Sequence, residues 1–116
     1  MISQIRPQND VTVVELEGRL DASTAPDIKA ELHELIEQGR ARLVVNLEAL
    51  EFIDSAGLGV LVSSLRRAAG EGGDLRVAEV PPFCRSIFEL TRLTRVFSVT
   101  ESESEAIAAI EEGAND

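Results

Sequence analysis

The chain has a single cysteine, Cys84, so no internal disulfide can form. At its place in the sequence Cys84 reads as a small buried apolar group on a helix rather than a reactive thiol. A reducing, cytoplasmic setting is the expectation. The chain also has a single histidine, His33, and no cluster of Cys, His, Asp and Glu at metal-ligand spacing. That excludes the usual zinc and haem sites. His33 follows core-facing Leu32, about 100° further round a helix, and reads as part of an exposed face between Lys29 and Glu37. A Ser-His-Asp hydrolase needs its histidine held beside the serine. No such arrangement is visible, and Gly-x-Ser-x-Gly is absent. Gly57-Leu58-Gly59 lacks the Lys-Ser/Thr ending of a phosphate loop, and no stretch has the dinucleotide-binding spacing. No cofactor is expected, and the chain reads as something other than an enzyme.

Long apolar runs are missing too. No stretch of about 18 residues could span a bilayer, and Met1-Ile2-Ser3-Gln4-Ile5-Arg6 is too short and polar for a signal peptide. Positive charge is scarce: 11 Lys and Arg stand against 21 Asp and Glu, a net charge of -10. Nucleic-acid binding needs clustered bases to neutralise phosphates, so it is not expected. The acids gather toward the end, where Glu101, Glu103, Glu105, Glu111, Glu112 and Asp116 occur with no Lys or Arg. This reads as the solvated face of a last helix, with a repulsive or partner-guiding role as the alternative.

What remains is an ordinary globular composition, 44% hydrophobic and 28% charged over 116 residues. The expectation is a single domain over 1–116, with its core from about Val11 to Ile110. Val11-Thr12-Val13-Val14-Glu15-Leu16-Glu17 is β-branched and reads as a strand, with Ile2 to Arg6 as a short partner. Gly18-Arg19-Leu20-Asp21 breaks that pattern. Thr24, Pro26 and Asp27 signal a helix start, Ile28, Leu32, Leu35 and Ile36 follow at helical spacing, and Gly39 closes the helix. Leu43-Val44-Val45-Asn46-Leu47 reads as a strand buried on both faces. A second helix carries Leu58, Leu61, Val62 and Leu65 and ends in Arg66 and Arg67. After the turn Gly70-Glu71-Gly72-Gly73 comes the strand Leu75–Val80. Pro81-Pro82 opens a third helix carrying Phe83, Ile87, Phe88 and Leu90. Val96–Val99 reads as a last short strand, before a helix with Ala106, Ile107 and Ile110 inward. This order predicts an α/β fold: a mostly parallel sheet of four to five strands with about four helices. Functional loops should lie beyond the carboxyl ends of the strands. Gly18–Thr24 and Glu48–Ser55 are two such loops, and they should share one end of the sheet.

The second of these loops leads into Asp54-Ser55-Ala56-Gly57-Leu58-Gly59. Either Asp54 or Ser55 caps the second helix, worth about 1 kcal/mol. Glycines in a first turn cost roughly 1 kcal/mol each against alanine. Two reasons could justify them: tight packing of the helix start on the sheet, or a bare surface that lets another protein's active site reach Ser55. The local sequence leaves both open. A phosphate on Ser55 would add about -1.5 to -2 charges. The helix N-terminus would partly accept it, Asp54 would oppose it, and the arginines at 66 and 67 lie three turns away. Such a phosphate would stay exposed and act on whatever docks there.

These residues resemble the STAS family, and within it the bacterial anti-sigma factor antagonists. The resemblance runs from about Val11 to Ile110. It rests on Glu17-Gly18-Arg19-Leu20-Asp21 with Thr24-Ala25-Pro26, and on Val44-Val45-Asn46-Leu47 leading to Phe52-Ile53-Asp54-Ser55-Ala56-Gly57-Leu58-Gly59. Gly72-Gly73 and Glu89-Leu90-Thr91-Arg92-Leu93 add weaker matches. It implies a STAS-like fold, and a binder and substrate rather than a catalyst. In that family an anti-sigma factor that is also a serine kinase phosphorylates the serine matching Ser55. The unmodified antagonist holds the anti-sigma factor and frees the sigma factor, the phosphorylated form lets go, and a metal-dependent serine phosphatase resets it. The resemblance makes Ser55 the phospho-acceptor and assigns partner binding to Asp21, Ser23, Thr24, Asp54, Ser55, Ala56, Gly57 and Leu58. It favours a monomer. Ala56 stands where many relatives have a second hydroxyl residue. The competing expectation is a STAS module with no phospho-switch, serving as scaffold, lipid-transport accessory subunit or nucleotide sensor.

Overall fold

The computed structural model describes residues 1–95, 97 and 99–113. One five-stranded sheet in the order β1-β2-β3-β4-β5 organises the chain. β1 (Ile2–Gln8) and β2 (Val11–Leu20) form an antiparallel hairpin turned at Asn9, which takes a left-handed φ of 59° as asparagine can. From β2 onward the strands are parallel: β3 (Arg42–Ile53), β4 (Asp74–Ala78) and β5 (Val99–Thr100). The helices α1 (Ala25–Glu37), α2 (Ser55–Gly70), α3 (Pro82–Leu90) and α4 (Glu103–Gly113) alternate with them. The expected α/β architecture is the observed one. Among the described residues no helix is long and apolar enough to cross a membrane.

The sheet buries both faces. On one, Val14, Leu16, Leu43, Val45, Leu47, Leu75 and Val77 pack with buried residues of α1, α2 and α3. On the other, Val11, Val13, Val44 and Ala78 pack with Ala106 and Ile110 of α4. The unbroken run Leu43–Leu47 follows from this, since alternate side chains go to opposite apolar layers. Cys84 and Phe88 anchor α3, and Phe88 stacks on Phe97 with ring centroids 5.9 Å apart. Burial pushes the Cys84 thiol up to about 11. The same α3 leaves Phe83 and Leu90 exposed.

Much of the two expected loops is strand instead, leaving only residues 21–24 and Asp54 as connections. β2 continues through Gly18, Arg19 and Leu20, and β3 continues through Glu48–Ile53. The local pattern hid this because the pairing slips twice. Glu15 faces Asn46 but Glu17 faces Ala49, and Gly18 faces Leu50 but Arg19 faces Phe52. Each slip inserts an extra residue in β3. Its inward positions become Leu47, Leu50 and Ile53, a spacing of three rather than two. Gly18 sits at the second slip with φ of 76°. At the far side of the sheet β5 is shorter than the stretch from 96 to 99 suggested, and Val96 and Ser98 lie outside the described residues.

His33 is not on an open face. It is half-buried between α1 and α2, with its Nε2 3.3 Å from Ser63 Oγ. Burial first, then the positive charges of Lys29 and Arg67, lower its pKa below the ordinary imidazole value. Lateral packing of α1 on α2, which the single-helix pattern cannot show, decides this. Arg67 of α2 reaches across the same seam to Glu37 at 3.0 Å.

Candidate functional site at the start of the second helix

The carboxyl ends of β2 and β3 stop level with one another, with Leu20 paired to Ile53. The Asp54 N–H donates to the Leu20 carbonyl at 3.2 Å, joining the two strand exits. Asp54 is extended (φ -119°, ψ -172°), and its Oδ1 accepts the Gly57 N–H at 3.0 Å, so Asp54 is the N-cap of α2. Its other oxygen, Oδ2, accepts the Ala22 N–H at 3.1 Å. One carboxylate thus closes the helix end and ties the preceding loop to it. Ser55 is the first residue of the helix and is exposed, and its hydroxyl makes no hydrogen bond among the described residues. The alternative in which Ser55 itself caps the helix is therefore corrected. An N-cap oxygen must project back over the first turn, and Asp54, with extended backbone, holds that position.

The loop after β2 has its own internal lattice. Asp21 Oδ1 accepts the Ser23 N–H at 3.0 Å, the Ser23 hydroxyl at 2.7 Å and the Thr24 N–H at 3.2 Å. The Ser23 hydroxyl, then the Arg19 guanidinium, hold the Asp21 carboxyl well below the usual carboxylate range. Thr24 precedes α1 but makes no side-chain cap; its hydroxyl donates to the Arg19 carbonyl at 2.8 Å and accepts the Asp21 N–H at 3.0 Å. The Thr24–Asp27 capping pair expected from spacing is not formed, because the Thr24 side chain is used to shape the loop.

The two glycines of the motif separate cleanly. A Cβ on Gly57 would collide with the Leu20 carbonyl oxygen and lie 2.8 Å from Leu20 Cγ and 2.9 Å from Ile53 Cγ1. Gly57 is what lets α2 start directly on the strand exits. At Gly59 a Cβ would meet nothing within 4 Å. Gly59 is exposed and stands one turn beyond Ser55 on the same helix face. Close packing explains the first glycine, and a bare surface describes the second. Ala56 and Leu58 are half-buried and pack on the main core. Of the residues singled out from sequence, Asp21, Ser23 and Thr24 share the first loop. Asp54, as N-cap, and Ser55, Ala56, Gly57 and Leu58 form the first turn of α2, and the Asp54–Ala22 bond joins that turn to the loop.

Sequence reasoning missed Arg19 and Phe52. The second register slip sets them opposite each other, with the guanidinium 4.1 Å from the ring centroid. Arg19 Nε also lies 3.0 Å from Asp21 Oδ2. A cation therefore does stand within this loop lattice, where sequence spacing had indicated none. Arg19 follows Gly18 in the sequence, but only the pairing of β2 with β3 gives it this place. Beside it, a depression is lined by Met1, Glu17, Gly18, Arg19, Thr24 and Glu51. Among the described residues no group of Cys, His, Asp and Glu could hold a metal ion.

The site is thus a small hydroxyl exposed at a helix start, next to the capping carboxylate of Asp54 and one turn before a bare glycine. The STAS domain family (Mlab, STAS domain) matches residues 3–101. BtrV of Bordetella bronchiseptica is 32% identical over 94 residues, 81% of each chain. The anti-sigma-B factor antagonist of Bacillus subtilis is 30% identical over 93 residues, 80% of this chain and 84% of its own. Among solved structures, an anti-sigma factor antagonist from Mycobacterium paratuberculosis has a TM-score of 0.84 at 27% identity, covering 93% of this chain and 92% of its own. The antagonist SpoIIAA aligns with TM-scores of 0.72 unphosphorylated and 0.71 phosphorylated, at 25% and 27% identity. Those alignments cover 93% and 92% of this chain, and 96% and 97% of SpoIIAA. The chain belongs to the STAS family, within its anti-sigma factor antagonists.

Proposed function

We propose that this chain binds a cognate anti-sigma factor through the surface formed by the two loops and the start of α2, and that phosphorylation of Ser55 ends that binding. The observation that carries the reading is the state of Ser55 itself. Its hydroxyl is exposed and uncommitted because Asp54, not Ser55, caps the helix. A residue that capped α2 would have to give up that role to accept a phosphate. Ser55 gives up nothing, and the bare Gly59 face gives a kinase room to approach.

The charge arithmetic supports an off-switch. A phosphate at Ser55 brings about -1.5 to -2 charges to a surface that already holds Asp54 and Asp21. Arg19 is engaged by Asp21 and Phe52. The α2 N-terminus tolerates the new charge in the free protein. In a complex the same charge would be buried with incomplete pairing, at several kcal/mol. Each 1.4 kcal/mol is about tenfold in affinity, so release needs no refolding. SpoIIAA, whose two phosphorylation forms align with this chain about equally well, supports a local rather than a global change. In this reading the anti-sigma factor is the serine kinase, a serine phosphatase reverses the mark, and the chain is substrate and ligand rather than catalyst.

The test is binding to the purified anti-sigma kinase by titration calorimetry. Ser55→Ala should bind with or without ATP, whereas the parent should be released as ATP is consumed. Ser55→Asp should bind at least about tenfold more weakly. Peptide mass spectrometry should place the phosphate on Ser55. Equal binding by all three proteins, or a phosphate found elsewhere with Ser55 unmodified, would refute the proposal and favour a non-switching STAS module.

A further inference from the structure

The helix α3 carries apolar side chains that the fold uses only in part: Ile87 packs against the main core from a half-buried position, while Phe83 and Leu90 on the same line stand exposed. Cys84 and Phe88 are its buried anchors. Phe83, Ile87 and Leu90, at i, i+4 and i+7, form a separate line along the helix. Phe83 is 38% exposed and Leu90 84%, with Ile87 half-buried between them. A lone exposed leucine needs no explanation; an exposed phenylalanine and an exposed leucine flanking a half-buried isoleucine on one helix line do.

The end of α3 is built in a way that internal packing does not demand. Thr91 closes the helix, its N–H donating to the Ile87 carbonyl at 3.0 Å and its hydroxyl to the same oxygen at 2.7 Å. Arg92 follows at φ of 60°, a left-handed position where glycine is the usual occupant and a side chain is disfavoured. Leu93 then turns back onto the main core. The apolar contact that normally accompanies such a helix end is therefore made by Leu93, and Leu90 is left facing out. Arg92 and Arg95 are exposed and make no ion pair among the described residues. Arg85 reaches only the exposed Glu101, at 3.4 Å. From Phe83 to Arg95 the charges are Arg85, Arg92 and Arg95 against Glu89, on a chain whose net charge is -10.

We infer that this stripe docks an acidic amphipathic helix of another protein. Its apolar residues would lie on Phe83, Ile87 and Leu90, and its flanking carboxylates would meet Arg92 and Arg95. Charge complementarity selects this occupant. Guanidinium groups favour carboxylates through paired N–H donors, and arginine and phenylalanine are both enriched at interfaces. A second copy of this chain fits less well. α3 has nine residues, about 13 Å of helix, and two such stripes together fall short of the roughly 1,000 Å² that a specific interface needs. A longer foreign helix can continue over the Leu93–Arg95 turn. Because β4 and β5 are parallel, α3 carries the chain back from the Ser55 end of the sheet to the opposite end. Docking there is independent of the state of Ser55.

The experiment is an NMR titration of the full chain with a synthetic amphipathic helix of about five turns, leucine on one face and glutamate on the others. The same peptide with lysine in place of glutamate is the control. Shifts should map to Phe83–Arg95. Leu90→Glu and the double change Arg92→Glu/Arg95→Glu should each weaken binding about tenfold or more. The lysine peptide should not bind, and Ser55→Asp should leave affinity unchanged. Arg92→Gly separates docking from folding: it should raise the unfolding temperature while weakening the peptide. Shifts elsewhere on the surface, equal binding of the two peptides, or full affinity in Leu90→Glu would overturn the inference. So would concentration-dependent dimerisation, in analytical ultracentrifugation, that Leu90→Glu abolishes.

Discussion

Replacing Asp54 with alanine should destabilise this protein far more than replacing Ser55, although the two are neighbours at one helix start. Asp54 accepts the Gly57 N–H at 3.0 Å and the Ala22 N–H at 3.1 Å. Loss of an N-cap costs about 1 kcal/mol. The bond to Ala22 is exposed, so solvent screens its charge assistance and it adds about 1 kcal/mol, the net value of an ordinary hydrogen bond. The total of about 2 kcal/mol corresponds to roughly 8 °C in unfolding temperature for a chain of this length. Ser55→Ala removes an exposed hydroxyl with no intramolecular bond and should change stability by less than about 0.5 kcal/mol. Asp54→Asn is the intermediate case: asparagine caps as well as aspartate, so only the charge assistance to Ala22 is lost. Thermal and urea unfolding of the three variants, followed by circular dichroism, give the ranking. A loss in Ser55→Ala equal to that in Asp54→Ala would mean that Ser55 is the cap and that this account of its availability is mistaken.

The glycines of the same motif should respond in opposite directions. Gly57→Ala drives a methyl into the Leu20 carbonyl and should cost at least about 3 kcal/mol or prevent folding. Gly59→Ala meets open space and should stabilise by about 0.5 to 1 kcal/mol; a destabilised Gly59→Ala would refute the open face. For His33, the folded protein disfavours the protonated ring. Its contribution is therefore complete above the unfolded imidazole pKa of about 6.5 and is lost as pH falls from there through the lowered folded value. Urea unfolding between about pH 7 and pH 5 should show a shallower fall in His33→Gln than in the parent; identical slopes would rule His33 out. Cys84 is fully buried with its thiol pushed up to about 11, so a thiol reagent at neutral pH should label it only in denaturant. Rapid labelling of the native protein would contradict its burial.

Part of this fold is legible in the sequence alone, and the reason is local. A helix or strand buries one side against the rest of the chain, so its own period records which residues go inward. That is why the element order, the double-faced burial of Leu43–Leu47, the inward Ile28, Leu32, Leu35 and Ile36, and the start of a helix at Asp54-Ser55 could all be read. The inert setting of Cys84 followed from the same logic. Where periodicity depends on a neighbour, it failed. Two extra residues in β3 turned its inward spacing from two to three, so Glu48–Ile53 looked like a loop. Of the apolar residues on α3, Cys84, Ile87 and Phe88 meet the core while Phe83 and Leu90 lie outward, because a hydrophobic pattern does not say which apolar side chains of a helix meet the sheet.

The sequence by itself determined that a hydroxyl stands at the mouth of the second helix, beside a carboxylate and ahead of two glycines, because adjacency along the chain is written in the chain. Only the tertiary structure decided which group caps the helix. It also decided which glycine is forced by contact, that Arg19 lies over Phe52, and that Asp54 binds the loop at Ala22. Each of those facts joins residues more than thirty positions apart or depends on where a backbone turns. They are set by the register of β2 on β3, which no window along the sequence contains.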